Sequence, residues 1–261
     1  MFNDPQTKAS LRRIAWVGGA FLTIALIAAA VERKKGMTIS ATVVEVEPLD
    51  SGALLMDSLD VVRLIERSFG ASLDDMPAGT VDVGRVERVL EESPFVKNAE
   101  VAITANSKVK IKVQQRQPIL RIMDNLGSQY YIDQDGARVP LSKHFAARTL
   151  VATGNIPPHT PEFLTRTKHP MKDLYDLTVF ILNDPFWKAM FEQVYVNSRG
   201  EFVLVPKVGD QVVILGKWDE DAPDKFRRLM TFYKEGMSRE GWRKYHSIDL
   251  RYRGQVVCER K

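Results

Sequence analysis

Three side chains near the C-terminus have the types that nucleophilic catalysis needs. Cys258 offers a thiol, His246 a general base and Asp249 a carboxylate that could orient that base; such a set attacks electrophilic carbon or sulfur. The segment around positions 246 and 249 has the alternating pattern of a β-strand, in which these two positions point to opposite faces. The three groups therefore cannot converge on one reacting atom, and we expect Cys258 to be a half-buried residue of the last strand.

Metal binding is the second chemistry to consider. His144, His159 and His169 lie in a loop-rich stretch, but their spacing fits no compact helix or hairpin pair, and no acidic residue stands at ligand spacing. Cys258 is the only cysteine, which excludes an intramolecular disulfide framework and a multi-thiolate zinc site. The motifs of P-loop, dinucleotide-binding, nucleophile-elbow and zinc-protease enzymes are also missing from the sequence. We therefore expect no catalytic residues, no metal, no cofactor and no small-molecule substrate.

The net charge of +4 hides an uneven distribution along the chain. Lys and Arg outnumber Asp and Glu by six to two in residues 1–36, are outnumbered by eight to thirteen in residues 37–115, and lead again by twenty-three to eighteen in residues 116–261. No basic block is interleaved with aromatic residues, as nucleic-acid binding would require. The composition, 44% hydrophobic and 27% charged, predicts a folded body without a nucleic-acid partner.

The longest apolar segment lies near the N-terminus. Residues 14–31 are eighteen consecutive uncharged and mostly apolar residues; as a helix they would span about 27 Å, close to the roughly 30 Å of a bilayer core. We predict a transmembrane helix here, preceded by a head of residues 1–13. A cleaved signal peptide is the alternative, although its apolar core usually has only about 7–15 residues. Three Lys or Arg residues stand on each side, so the positive-inside rule does not orient the span.

Residues 37–115 predict a small α+β module. The first helix is predicted by the helical spacing of Leu59, Val62, Ile65 and Phe69. The second helix begins after Asp82, the candidate N-cap, and its inward stripe consists of Val86, Val89 and Leu90. β-Branched and alternating runs predict three strands. The resulting order is strand 38–47, helix 57–69, helix 83–92, strand 99–105 and strand 109–113. We expect both helices to cover one face of a three-stranded sheet.

Residues 116–261 predict an antiparallel β-sheet domain with two covering helices. The predicted helices are 171–182 and 223–234, and the predicted strands are 119–123, 129–132, 138–140, 193–197, 201–206, 211–215 and 245–257. In the last strand His246, Ile248, Leu250 and Tyr252 alternate with polar residues, which is typical of a half-buried strand, with Gly254 at a bulge or bend.

Several segments resemble the FtsQ/DivIB family of cell-division proteins. The segments SPFVKNAEV at 93–101, KIKV at 110–113 and QRQPI at 115–119 resemble its POTRA module and the step into the next domain. The run from Tyr130 to Leu141 and IDLRY at 248–252 resemble its C-terminal β domain. The sequence departs from the family where a Gly-Asn turn often follows the first strand, since Glu45-Val46-Glu47-Pro48 stands here.

The resemblance implies a non-enzymatic scaffold of the divisome. Residues 1–13 would be a cytoplasmic head, 14–31 the single span of the inner membrane, 37–115 the POTRA-like domain and 116–261 the β domain. Both domains would be periplasmic and lie at the division septum. The implied partners are the bitopic FtsB/FtsL pair and, through it, the septal peptidoglycan synthase that the scaffold helps to recruit and regulate.

The same resemblance implies a partner-binding edge at the end of the chain. Arg251 and Tyr252 match the family's partner-binding Arg-Tyr pair, and Gln255, Val256 and Val257 continue the edge strand. The alternative from spacing alone is a Tyr252 packed in the core beside a solvated Arg251.

The first module offers a second candidate docking surface at Val43, Val44 and Val46, although ordinary sheet packing also explains these residues. A rival function is that of a POTRA-bearing transport or outer-membrane assembly factor, which acts as a chaperone-like binding module. That class usually shows repeated POTRA units or a downstream barrel, and the sequence shows neither.

Overall fold

The computed structural model describes residues 5–237, 241 and 244–261, which form two compact units. The first unit takes in the chain up to Pro48 together with Met56–Gln115, and the second takes in Leu49–Leu55 together with Arg116–Lys261. The first four residues of the predicted head lie outside the described residues. The segment Leu49–Leu55 therefore packs with the second unit although it precedes the first helix of the module.

The N-terminal helix α1 spans Pro5–Lys35 and contains the predicted transmembrane segment. Its window Trp16–Arg33 has a mean hydropathy of 1.5 over 18 residues, and none of that window is buried in the protein. An exposed apolar helix is stable in lipid because its backbone groups all pair within the helix. The helix thus has the length and composition of a single membrane span.

The rest of the first unit is a βααββ module, as predicted. Its elements are β1 Ala41–Glu47, α2 Ser58–Phe69, α3 Val83–Glu91, β2 Val96–Ile103 and β3 Lys108–Gln115. The sheet order is β1-β3-β2, in which β1 runs parallel to β3 and β2 runs antiparallel to it. The core lies between the helices and the face of the sheet that carries Val109, Ile111 and Val113.

The inward face of α2 differs from the prediction. Val61 and Ile65 are buried, whereas Leu59 is 60% exposed. Asp57 caps the helix by accepting a hydrogen bond from the backbone N–H of Asp60 at 2.8 Å, which places Leu59 in the unpaired first turn. The predicted inward positions Ile65 and Phe69 do pack in the core, whereas Val61 takes the place of the predicted Leu59 and Val62.

The described residues of the second unit form one sheet of nine strands. The strands are β4 Pro118–Asp124, β5 Gln129–Asp133, β6 Arg138–Val139, β7 Leu150–Gly154, β8 Phe191–Val196, β9 Phe202–Pro206, β10 Val212–Gly216, β11 Tyr245–Asp249 and β12 Val257–Arg260. The helices are α4 Pro170–Asn183, α5 Pro185–Met190 and α6 Ala222–Thr231, the last continued by a π-helical turn, Phe232–Met237. The sheet order is β12-β11-β10-β9-β8-β7-β4-β5-β6.

This architecture confirms the predicted α+β class, but the sheet is mixed and not purely antiparallel. The pairs β4–β7, β7–β8 and β10–β11 are parallel. Parallel neighbours need long crossover connections, and α4, α5 and α6 lie in two of them. The sequence prediction missed both α5 and β7. The strand β7 is five residues long, LVATG, and follows a long irregular stretch.

The predicted continuous strand 245–257 is wrong. β11 ends at Asp249, the chain reverses, and β12 returns antiparallel to β11. Of the two predicted roles of Gly254, the bend is the one observed, since this residue, with φ of 69°, lies within the reversal. The predicted alternation also fails, because His246 is exposed while Ser247 and Asp249 are buried along with Ile248 and Leu250.

Other side chains cover the buried polar residues Ser247 and Asp249 of β11. The guanidinium of Arg251 covers Asp249, and the Ser247 hydroxyl hydrogen-bonds the carboxylate of Glu259 at 3.2 Å. The alternation of polar and apolar residues assigns such polar residues to the solvent face, because a local sequence pattern contains no information on the side chains that cover them in the fold.

Candidate functional site

The strand β12 lies at one end of the large sheet, and β6 lies at the other. In the described part of the chain β12 pairs with β11 alone, so the backbone groups along its other side have no strand partner. Such an edge is a template for an added strand. Val257 is 41% exposed at the start of β12, and Glu259 and Arg260 are exposed further along. Cys258 is half-buried against the core, which raises the pKa of its thiol.

Four of the five predicted binding residues lie in the reversal that leads into this strand. We call residues 250–256 the terminal turn. It contains Arg251, Tyr252, Gln255 and Val256, and only Val257 lies on β12 itself. Tyr252 is 53% exposed and therefore not a core residue. The structure thus brings the predicted residues together at one end of the edge strand, in a turn and not along a strand.

The Arg251 side chain is held by acidic neighbours. Its Nε and Nη2 donate to the two carboxylate oxygens of Asp249 at 3.0 and 2.6 Å, and its backbone N–H donates to Asp249 Oδ1 at 3.0 Å. Nη1 lies 3.6 Å from Glu201 Oε2. A hydrogen bond from Asn197, with further contributions from Arg199 and Arg251, lowers the pKa of Glu201. The contacts of Arg251 with Asp249 and Glu201 consequently fix the start of the terminal turn.

The interaction between Arg251 and Asp249 makes a pH-dependent contribution to the stability of the fold. Burial alone would raise the pKa of Asp249, but the hydrogen bonds from Arg251 outweigh it and hold that pKa below its ordinary value of 3.8. Since the pKa is lower in the folded state than in the unfolded state, the contribution is fully present above about pH 4 and is lost as the pH falls through the folded-state pKa.

We therefore expect Asp249→Asn to lower the free energy of unfolding by about 1 kcal/mol at neutral pH, a value reduced for the partial exposure of Arg251. Thermal unfolding of the full chain at pH 7 and pH 3 should show the difference from the parent at pH 7 and a smaller difference at pH 3. Asp50→Asn, at an exposed position, is the control. Equal stability of the parent and Asp249→Asn at pH 7 would contradict a stabilising interaction between Arg251 and Asp249.

One residue of the site was not found from the sequence. Arg228 on α6 donates from Nη1 to the backbone carbonyl of Tyr252 at 3.0 Å and also to that of Gln255, and from Nη2 to the carbonyl of Leu250 at 3.3 Å. Its Nε donates to Asp224 Oδ2 at 3.0 Å. The one local signal is the i, i+4 spacing of Asp224 and Arg228 on a helix, which does not point to the terminal turn.

The other candidates lie on other elements of the chain. Val44 and Val46 of β1 are half-buried and pack against the core of the module, while Val43 is 46% exposed. His159 Nε2 lies 2.9 Å from the carbonyl of Gly136, and His169 Nδ1 accepts from the backbone N–H of Met171 at 3.2 Å to cap α4.

The remaining titratable candidates occupy different positions. His144 is exposed, and its backbone N–H donates to Ser142 Oγ at 3.0 Å. His246 is exposed on β11, whereas Cys258 faces Ile248 across the β11–β12 pair. The rings of His159 and His169 thus make structural contacts, with the Gly136 carbonyl and the N-terminus of α4.

These features define a class of protein: an α+β protein with an apolar N-terminal helix, a POTRA-type module and a larger mixed sheet with the edge strand β12 at one end. A family model described as POTRA-like domain matches residues 44–114, and one described as FtsQ/DivIB, C-terminal related, matches residues 117–259. The chain belongs to the FtsQ/DivIB family. It is 28% identical over 218 residues to the cell division protein FtsQ of Rhodothermus marinus, a match that covers 79% of this chain and 74% of that protein.

Proposed function

We propose that the protein is a non-enzymatic scaffold of the cell-division machinery that binds a partner segment along β12. The observation that carries the proposal is the open edge of this strand, next to a turn with an exposed aromatic side chain. An added strand would gain main-chain hydrogen bonds from the edge, and alternate side chains would supply specificity. Membership of the FtsQ/DivIB family supports a role in division.

The proposed partners are the FtsB/FtsL pair and, through it, the septal peptidoglycan synthase. We further propose that α1 anchors the chain in the inner membrane with residues 1–13 in the cytoplasm. Residues 37–115 and 116–261 would then be periplasmic domains at the septum. The family supports this topology, and the apolar helix fits it.

Preorganisation would let a short edge bind tightly. Arg251 and Arg228 already order the terminal turn in the free protein, so little backbone freedom is lost there on binding. Tyr252 would act as the aromatic anchor, and Arg253, whose side chain is 91% exposed, would meet acidic groups of the partner. In the first unit, Val43 is the open part of the proposed second docking surface.

The test is binding of the full chain in lipid nanodiscs to the purified extracytoplasmic FtsB/FtsL pair of the same organism. A second titration uses an unfolded outer-membrane-protein segment as the probe. The proposal expects saturable binding of the pair and none of the unfolded segment. Binding of the unfolded segment alone would instead support the rival function of a chaperone-like transport or assembly factor.

A further inference from the structure

We propose that Arg228 is a positioning residue that holds the terminal turn in the shape that presents Tyr252 and starts β12. This inference rests on the proposed function for its biological meaning, but the structural part of it stands on the hydrogen bonds of one side chain. The guanidinium couples α6 to a backbone segment that lies more than twenty residues further along the chain.

The geometry of the contacts suits an arginine. A guanidinium has five N–H donors in a rigid planar fork, and Arg228 directs them to four acceptors. These are the carbonyls of Leu250, Tyr252 and Gln255 and the carboxylate of Asp224. The three carbonyls belong to one short turn, so a single side chain fixes both of its ends.

In the described part of the chain, the second half of the terminal turn makes few other contacts, among them an ion pair between Arg253 Nη2 and Asp221 Oδ1 at 4.0 Å. Within the turn the N–H of Gln255 reaches the carbonyl of Tyr252 at 3.3 Å. The residues from Tyr252 to Gln255 are exposed, and Val256 is half-buried. Arg251 ties the beginning of the turn to Asp249, whereas Arg228 also reaches the carbonyl of Gln255, one residue before the packed Val256.

The helix that carries Arg228 is itself well anchored. Phe226 and Leu229 of α6 are buried in the core of the second unit, and Asp224 fixes the guanidinium from one turn earlier. The Arg228 side chain is only 14% exposed, compared with 79% for the neighbouring Arg227, which pairs with the same Asp224. Arg227 therefore provides a control with the same chemistry on the same helix.

Amide hydrogen exchange on the full chain in nanodiscs tests the positioning without any partner. In Arg228→Gln, amides of residues 251–260 should exchange at least about 10-fold faster than in the parent, because local opening is set by local contacts. Amides of β8 and β9 should not change. Arg228→Lys, which keeps the charge but not the fork, should give an intermediate effect, and Arg227→Gln should resemble the parent.

Binding of the FtsB/FtsL pair tests the consequence. If only a fraction of the Arg228→Gln molecules have an ordered turn, the apparent affinity falls by that fraction, so a loss of at least about 10-fold is expected, with partial rescue in Arg228→Lys. Unchanged exchange in a folded Arg228→Gln would overturn the inference. Faster amide exchange in Arg228→Gln that extends equally to β8 and β9 would also overturn the inference. The same holds if exchange in the turn is faster but the variant binds the pair as tightly as the parent. Lack of binding by the parent would refute the proposed function, while the exchange data would still decide whether Arg228 holds the turn.

Discussion

Tyr252→Glu is expected to weaken binding of the FtsB/FtsL pair by at least about 30-fold. Aromatic anchors at the centre of an interface typically contribute about 2 kcal/mol or more, which corresponds to this factor, and a carboxylate in their place would also be desolvated. Because Tyr252 is 53% exposed, the thermal midpoint of the full chain should stay within a few degrees of the parent. Titration calorimetry and a melting curve on the same preparation give both quantities.

Leu126→Glu is the matched control for this experiment. Leu126 is 82% exposed in the connection between β4 and β5, six positions from β12 in the sheet order. The Leu126→Glu substitution introduces the same charge at an exposed apolar site and should leave the affinity for the FtsB/FtsL pair unchanged. If a folded Tyr252→Glu binds as tightly as the parent, Tyr252 is not part of the interface.

Phe226→Ala is expected to lower the free energy of unfolding of the second unit by about 3–5 kcal/mol, the usual range for a buried phenylalanine. The ring is 2% exposed and packs against Phe180 at 4.7 Å and Trp187 at 5.1 Å between ring centroids. Its loss would leave a cavity between α6 and the core and would loosen the helix that carries Arg228. Denaturant titration of the full chain, followed by tryptophan fluorescence, measures the effect.

Phe186→Ala provides the comparison for the core variant. Phe186 is 37% exposed and contacts Trp187 from the edge of the aromatic cluster, so its removal should destabilise the protein much less. Similar losses in the two variants would mean that Phe226 does not occupy a tightly packed core.

The βααββ module was predictable because its signals are local. The N-cap at Asp82 and the alternation in the β3 segment 108–115 fix the element types within a few residues. The shift of the buried face from Leu59 to Val61 was not predictable, since it depends on which turn of the helix meets the sheet. Local pattern specifies that an amphipathic helix forms, and packing decides its rotation.

The end of the chain shows why the site itself was only partly predictable. The sequence pointed to Arg251 and Tyr252 through a family resemblance, but it gave one strand where the structure has β11, the terminal turn and β12. Asp249 is buried and paired with Arg251, which lies two residues further along the chain. Arg228 contacts backbone carbonyls, which carry no residue-specific pattern, so no sequence signal relates it to the turn.

The most direct measurement of the central claim is amide hydrogen exchange on the full chain in nanodiscs, with and without the FtsB/FtsL pair. If the partner adds a strand to the open edge, the amides of β12, Val257–Arg260, become protected on binding, together with those of the terminal turn. Binding of the pair that leaves exchange in β12 unchanged and protects another surface, such as β1 or β6, would contradict the edge-strand scaffold.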